Sequence, residues 1–337
     1  MARRRDSAWT ELDDQELLDL RLKDLGLEIE GSAVAPRLQR LHAELDRAGL
    51  PRPYAWLSTD WFTPDGCTGF AVPFYLAHPR LVRLERRQML EVEGGSTDEC
   101  LRILRHETAH ALDNAFGLRR RKRWRELFGS PAEPYEQSYA PDPTSREHVH
   151  NLGYWYSQSH PLEDWAETFA VWLGSAGRWR KRYAGWGALR KLEYVDGLMA
   201  ELRDRRPRLR TRTREDSLPR LSLTLREYYA RKHRTYSQDQ DPAFDGQLAR
   251  VFPALGSGPR AATFLRRSRR DLVRRVSGAT GQNRYLLDHV VREMIERSTS
   301  RDLRLPGTTI DARLDAAILL TSFTGQYQYG AHPRYQR

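Results

Sequence analysis

Cysteine is almost absent from this chain of 337 residues, which holds only Cys67 and Cys100. That excludes a disulfide-dense secreted scaffold and any structural zinc site built mainly of thiolates. No apolar run reaches membrane-spanning length, and mean hydropathy is -0.74, so no membrane partner is expected. The opening string MARRRDSAWTELDD has a basic cluster with no apolar stretch behind it. A secretory signal is therefore not expected, and the expected compartment is the cytoplasm. Lysine is also rare. The chain has 56 basic and 45 acidic side chains, a net charge of +11, and the positive charge is almost entirely arginine. Such an excess favours anionic partners, nucleic acid among them. What is plentiful is core material: 39% of residues are hydrophobic and 10% aromatic. A packed core is affordable at this length, as one large or two modest domains.

The apolar pattern divides the chain. Leu12, Leu17, Leu18, Leu20 and Leu22 suggest a first helix, and Leu38, Leu41 and Leu45 a second over 35–48. From Tyr54 to Leu84 the residues read as strands, cut by Thr63-Pro64-Asp65-Gly66 and by His78-Pro79. Pro73 marks the run from Phe70 to Leu76 as an edge strand. Ser96 and Glu99 form a capping box that opens a long helix, with Gly117 at its end. A very basic stretch, 119–125, leads into a proline-rich loop over 129–151. Further helices are expected from Pro161 to about Trp172, over 187–204, 260–276 and 285–295. The polar, arginine-rich stretch 205–219 reads as a linker. The domains are thus expected at 1–204 and 220–337, the latter mainly helical. The end, 324–337, is rich in Gly, Tyr and Gln and expected to fray, and there is no internal repeat.

The chemistry is concentrated in Leu104-Arg105-His106-Glu107-Thr108-Ala109-His110, an HExxH string inside the capped helix. Histidines four apart share one helical face, so both imidazoles can reach one zinc ion. Glu107 then stands where it can take a proton from a zinc-bound water. Three fixed positions meet by chance in roughly 2% of chains this long, and the helical context makes accident rarer still. A catalytic zinc needs a third protein ligand and an open position. The best source is His160-Pro161-Leu162-Glu163-Asp164-Trp165-Ala166-Glu167. Glu163 and Glu167 are four apart on one face. One can ligate while the other holds a ligand histidine in its tautomer. A third-histidine alternative would use His160.

The joint pattern RHETAHALD and SHPLEDWAETFAVWL resembles a bacterial family of zinc-binding metallopeptidases in the wider gluzincin group. The likeness extends in character over residues 12–202 and is sharp at the two motifs, with Leu127-Phe128-Gly129 as a lesser element. The resemblance implies zinc, with His106, His110 and Glu163 as ligands and Glu167 supporting a histidine; the exchange of Glu163 with Glu167 stays open. Asp164 is a weaker candidate for outer support. Some gluzincins carry a tyrosine seven residues before the ligand glutamate, a spacing that Tyr156 has; its hydroxyl would stabilise an oxyanion. His160 would donate a similar bond from the cleft or begin the helix, and His148 and His150 would line the cleft or sit on the surface. Unlike some relatives, this chain has no cysteine-rich ribbon, and the resemblance does not explain the role of its long basic C-terminal region.

The resulting expectation is an α+β fold, a zincin-like core with a small twisted sheet and active-site helices, plus a helical C-terminal region. The expected activity is zinc-dependent hydrolysis of a peptide or protein substrate, with Glu107 as base. A peptide would lie along 69–76, or along 81–90, and arginines around the cleft would favour acidic peptides. Two alternatives remain. One is an amidase acting on a non-peptide substrate. The other is an inactive zinc protein binding an anionic partner such as nucleic acid through 119–125, 205–214 and 266–270, although such runs are commonly solvated faces. The sequence leaves the oligomeric state unset.

Overall fold

A buried helix carrying the HExxH string organises the fold. In the computed structural model, which describes residues 8–136, 139, 141–153, 155–236, 243–254, 258–306 and 309–328, that helix spans Thr97–Phe116. The Ser96 hydroxyl accepts from the Glu99 N–H at 3.1 Å, and Gly117, at φ 67°, closes the other end. Before it come three helices: α1 (Asp14–Leu18), α2 (Ala35–Ala48) and α3 (Pro79–Met89). The HExxH helix is α4. After it run α5 (Lys122–Phe128), α6 (Pro161–Ser175), α7 (Trp179–Arg182), α8 (Ala188–Leu202) and α9 (Leu225–Tyr236). The last four are α10 (Ala243–Val251), α11 (Ala261–Thr280), α12 (Arg284–Ser300) and α13 (Thr309–Gln328). Two strands, β1 (Tyr54–Ser58) and β2 (Gly69–Pro73), pair in parallel, Tyr54 opposite Gly69 and Ser58 opposite Pro73. The fold is mostly helical with a small sheet, an α+β arrangement.

Three expectations change here. The leucines near the N-terminus do not make one helix: α1 is a single capped turn between short 3-10 segments at Ala8–Glu11 and Leu22–Leu25. The strand reading also fails beyond Pro73, because Phe74–Ala77 is a 3-10 turn and 79–89 is helical. Pro79 occupies the first turn, the His78 side chain accepts from the Arg80 N–H, and Leu81, Leu84 and Met89 are buried on one face. A peptide therefore has no strand to join at 81–90. Nor is β2 an open edge. All five of its residues are buried, β1 occupies one side, and the Ala71 N–H donates to the Phe62 carbonyl at 2.8 Å on the other. Parallel strands need a crossover; here the connection 59–68 swings out past β2 and over α4.

Two large apolar clusters form among the described residues, beside two small ones around Trp179 and Trp56. The larger joins α1 to α6 with Leu218, Leu225, Tyr228 and Tyr229. The other large cluster is built from α10 to α13. In sequence the two large clusters part after α9; the arginine-rich segment 205–219 runs before it. That segment lies along β1, where Trp56 Nε1 donates to the Glu215 carbonyl at 2.8 Å and Ser58 Oγ to that of Asp216 at 2.8 Å. The second unit meets the first through stacked His233 and Tyr285 rings, 4.8 Å apart, and through Asn283, which reaches Glu91. Residues 329–337 of the expected fraying end lie outside the described residues.

The two helices that carry the motifs, α4 and α6, pack closely because small Ala109 and Ala166 are fully buried. Trp165 Nε1 donates to the Ala109 carbonyl at 3.1 Å. Beside them Arg105 makes two 2.7 Å bonds to Glu44 of α2, both side chains only 9% exposed. Removing one partner strands a buried charge. Glu44→Ala is expected to lower stability by about 3 kcal/mol and Ser96→Ala by about 1 kcal/mol, read from urea unfolding midpoints.

Candidate metal centre

Each ligand candidate is placed by ordinary helix geometry. His106 and His110 are one turn apart on α4, and Glu163 stands in the first turn of α6. His106 Nε2 lies 3.0 Å from Glu163 Oε2, His110 Nε2 lies 3.4 Å from the same oxygen, and the two Nε2 atoms are 3.1 Å apart. Donors about 2.0–2.1 Å from a tetrahedral zinc stand about 3.3 Å from one another. The three atoms therefore fit as corners of one such site.

The partners fix which lone pairs face inward. Glu167 accepts from Asn151 Nδ2 at 2.8 Å and from the Leu152 N–H at 2.7 Å. It also meets His106 Nδ1 at 2.8 Å. Acting there as an acceptor, it keeps a proton on Nδ1 and turns Nε2 toward the cluster. Burial works against positive charge on His106, but Glu163 and Glu167 outweigh it and hold its pKa well above the usual value. Burial would likewise raise Glu163; His110 and His106 instead hold it well below. The pocket is built to contain positive charge, which a divalent cation supplies.

Glu107 borders the same cavity. Thr63 Oγ1 donates to its Oε2 at 2.8 Å. Burial raises its pKa against the lowering pull of His106 and His110, the direction suited to a carboxylate that accepts and returns a proton. Tyr156 is buried, its ring 5.8 Å from that of His106, and it also lines the cavity.

Two candidates lie elsewhere. His160 is the N-cap of α6. Its Nδ1 accepts from the Leu162 N–H at 3.1 Å, which leaves Nε2 to donate to the Glu133 carbonyl at 2.9 Å. It is neither a third histidine ligand nor a cavity wall. Asp164 faces away from the cluster. It pairs with Lys191 of α8 at 2.5 Å, and burial raises its pKa to about 7 against the pull of Lys191. His148 lies near this pair, 3.9 Å from Asp164, and His150 stacks edge-on to Trp186; neither borders the cavity. The basic stretch 119–125 is largely committed to ion pairs, Arg119 with Asp113, Arg121 with Glu201 and Arg123 with Glu126.

Sequence reasoning missed three contributors. The Tyr135 hydroxyl donates to Glu163 Oε1 at 2.7 Å, and its ring stacks on His160 at 3.9 Å. Thr63 holds Glu107, and Asn151 holds Glu167. All three stand in irregular segments, where no periodicity announces a side chain's direction. The proline-rich composition of 129–151 marked a loop and nothing more.

Comparison with known families now bears on this geometry. Residues 85–179 match the family model described as "Putative zinc-binding metallo-peptidase". The resemblance to a zinc-binding metallopeptidase family is thereby shown over that stretch, which holds His106, Glu107, His110, Glu163 and Glu167. No curated protein and no solved structure matches the chain.

The different settings of Glu167 and Asp164 give separable expectations. Glu167→Gln should weaken metal affinity about 10–100-fold, read by competition with a chelating dye. Asp164→Ala should leave the metal-to-protein ratio unchanged yet cost about 3 kcal/mol in urea unfolding, because Lys191 is left buried and unpaired.

Proposed function

We propose that this protein is a zinc-dependent hydrolase of the gluzincin kind that cleaves peptide bonds, built on a zincin-like core. The observation that carries the reading is the convergence of His106 Nε2, His110 Nε2 and Glu163 Oε2 within 3.0–3.4 Å, with the Glu107 carboxylate bordering the same cavity of ≈ 330 Å³. His106, His110 and Glu163 are the proposed zinc ligands. Zinc held there would acidify a water molecule and polarise a carbonyl group.

The chain's own residues do the rest. Glu107, steadied by Thr63, accepts the proton of the attacking water and returns it to the departing amine. Glu167 keeps the His106 ring in one tautomer. Tyr156 and Tyr135 border the cavity beside the ligands, and one of their hydroxyls is proposed to meet the negative charge that grows on the carbonyl oxygen; that of Tyr135 would first have to leave Glu163 Oε1. The segment 60–65 is proposed in place of 69–76 as the stretch beside which a peptide lies, because Asp60, Trp61, Phe62, Thr63 and Asp65 border the cavity.

The family description as a zinc-binding metallo-peptidase supports a peptide substrate over a non-peptide amide. The helical unit α10 to α13 is proposed as an accessory that docks on the catalytic part. Nucleic acid remains the weaker partner. In the basic run of α11, Arg269 pairs with Asp288, and both Arg274 and Arg275 pair with Asp271.

Elemental analysis of protein purified without added metal is expected to give about one zinc per chain, lost in Glu163→Ala. Glu107→Gln should keep the zinc and abolish cleavage of a mixed peptide library. Tyr135→Phe and Tyr156→Phe separate the two hydroxyls: the one that meets the oxyanion should lower kcat about a hundredfold with little change in KM. Zinc retention without cleavage of any peptide would refute the peptidase reading.

A further inference from the structure

The protein carries a net charge of +11, yet the cavity beside the proposed zinc ligands is acidic. Its walls hold Asp60, Asp65, Glu93, Glu107 and Glu163 against one arginine, Arg119. Arginine gathers instead around a second cavity, of ≈ 350 Å³, which shares no wall residue with the first. Arg102 and Arg105 of α4 line it, with Arg178 and Arg182 at the two ends of α7. Half of this cluster is neutralised by its neighbours. Arg102 pairs with Asp98 at 2.5 Å, and Arg105 pairs with Glu44. Arg178 and Arg182 have no acidic partner among the described residues; the Arg182 guanidinium lies over the Tyr183 ring, 5.5 Å from its centre. Four guanidiniums against the carboxylates of Asp98 and Glu44 leave two positive charges unbalanced.

A second observation comes from Arg105, which is only 7% exposed. Its Nε and Nη2 donate to Glu44 at 2.7 Å each. The third nitrogen, Nη1, meets no acceptor among the described residues. It looks onto Gly174 in the cavity wall, where a Cβ would come within 2.7 Å of it. Glycine inside a helix is destabilising relative to alanine. At 174 it leaves the outer edge of a buried guanidinium uncovered. A donor in such a setting is costly until an acceptor completes it. Guanidinium planes match the oxygens of a phosphate, and a phosphate monoester carries a charge of about −2 at neutral pH, which balances the two free arginines. Ala170, Val171 and Trp179 add an apolar wall, so the cavity has room for an organic group beside the anion.

We propose that this second cavity binds the phosphate group of a small ligand, with Arg105 Nη1, Arg178 and Arg182 as its donors. The site is separate from the metal centre and does not depend on the peptidase reading. The two meet at Asn151, which lines the second cavity. The Asn151 carbonyl accepts from Arg102 Nη1 at 3.2 Å, and its side chain donates to Glu167. A ligand held here therefore stands one residue away from the glutamate that orients His106. Inorganic phosphate and a phosphate ester offer the same chemistry from two sources.

Isothermal titration of the zinc-loaded full chain at fixed ionic strength tests this. The probes are inorganic phosphate, phenyl phosphate and phenyl sulfate, the last a monoanion of similar shape. Phenyl phosphate is expected to saturate a single site and to bind about tenfold tighter than phenyl sulfate. Arg178→Gln and Arg182→Gln, both at exposed positions, should each weaken it about tenfold, with zinc content and unfolding midpoint unchanged. Equal affinity for inorganic phosphate would support the site and assign it to the free ion. Tighter binding of phenyl phosphate would support it and assign it to an ester. No saturable binding, equal binding of the phosphate and sulfate esters, or binding untouched by both arginine substitutions would overturn the inference. Binding that both substitutions leave intact and zinc removal abolishes would place the anion at the metal, and overturns it as well.

Discussion

Three lone pairs aimed at one point are the constraint around which the structure is arranged. His106, His110 and Glu163 present two imidazole nitrogens and a carboxylate oxygen within 3.4 Å of each other. Each is largely buried, with the least buried side chain, that of His110, 15% exposed. Such a grouping repels itself unless a cation or a proton sits within it. The surrounding design follows. Glu167 fixes the direction of one imidazole, Tyr135 takes the second oxygen of Glu163, and Ala109 with Ala166 lets α4 and α6 approach closely enough for the ligands to meet. Arg105 ties α4 to α2 next to His106, so the ligand helix is held from behind.

The site's core was legible because helices convert spacing into direction. His106 and His110, like Glu163 and Glu167, are four apart, and each pair had to share a face. The capping signals were equally readable: Ser96 and Gly117 bound α4 where their chemistry places them. His160 was harder. A histidine before a proline at a helix start serves as a cap as readily as a ligand, and its partners, the Leu162 N–H and the Glu133 carbonyl, emerge only in three dimensions. Asp164 sits between the two functional glutamates in sequence, but its position on the helix turns it toward Lys191.

What stayed hidden lies in irregular chain. Thr63, Tyr135 and Asn151 hold the glutamates from loops whose course is set by tertiary packing. The strand reading of 79–89 failed for a related reason. Short apolar runs fit either period, and Pro79 was taken as a break when it begins a helix. The parallel pairing of β1 with β2 had no sequence signal, yet it is what sends 59–68 across the cavity. Composition misled about charge, because an arginine excess over the whole chain says nothing about the lining of one cleft.

The most direct test of the account is a crystal of the protein grown with zinc and measured on both sides of the zinc absorption edge. The account predicts a single strong anomalous peak about 2.0–2.1 Å from His106 Nε2, His110 Nε2 and a Glu163 carboxylate oxygen, with Glu167 bonded to His106 and not to the metal. A peak bound by Glu167 in place of Glu163, or zinc found only at other side chains, would contradict it.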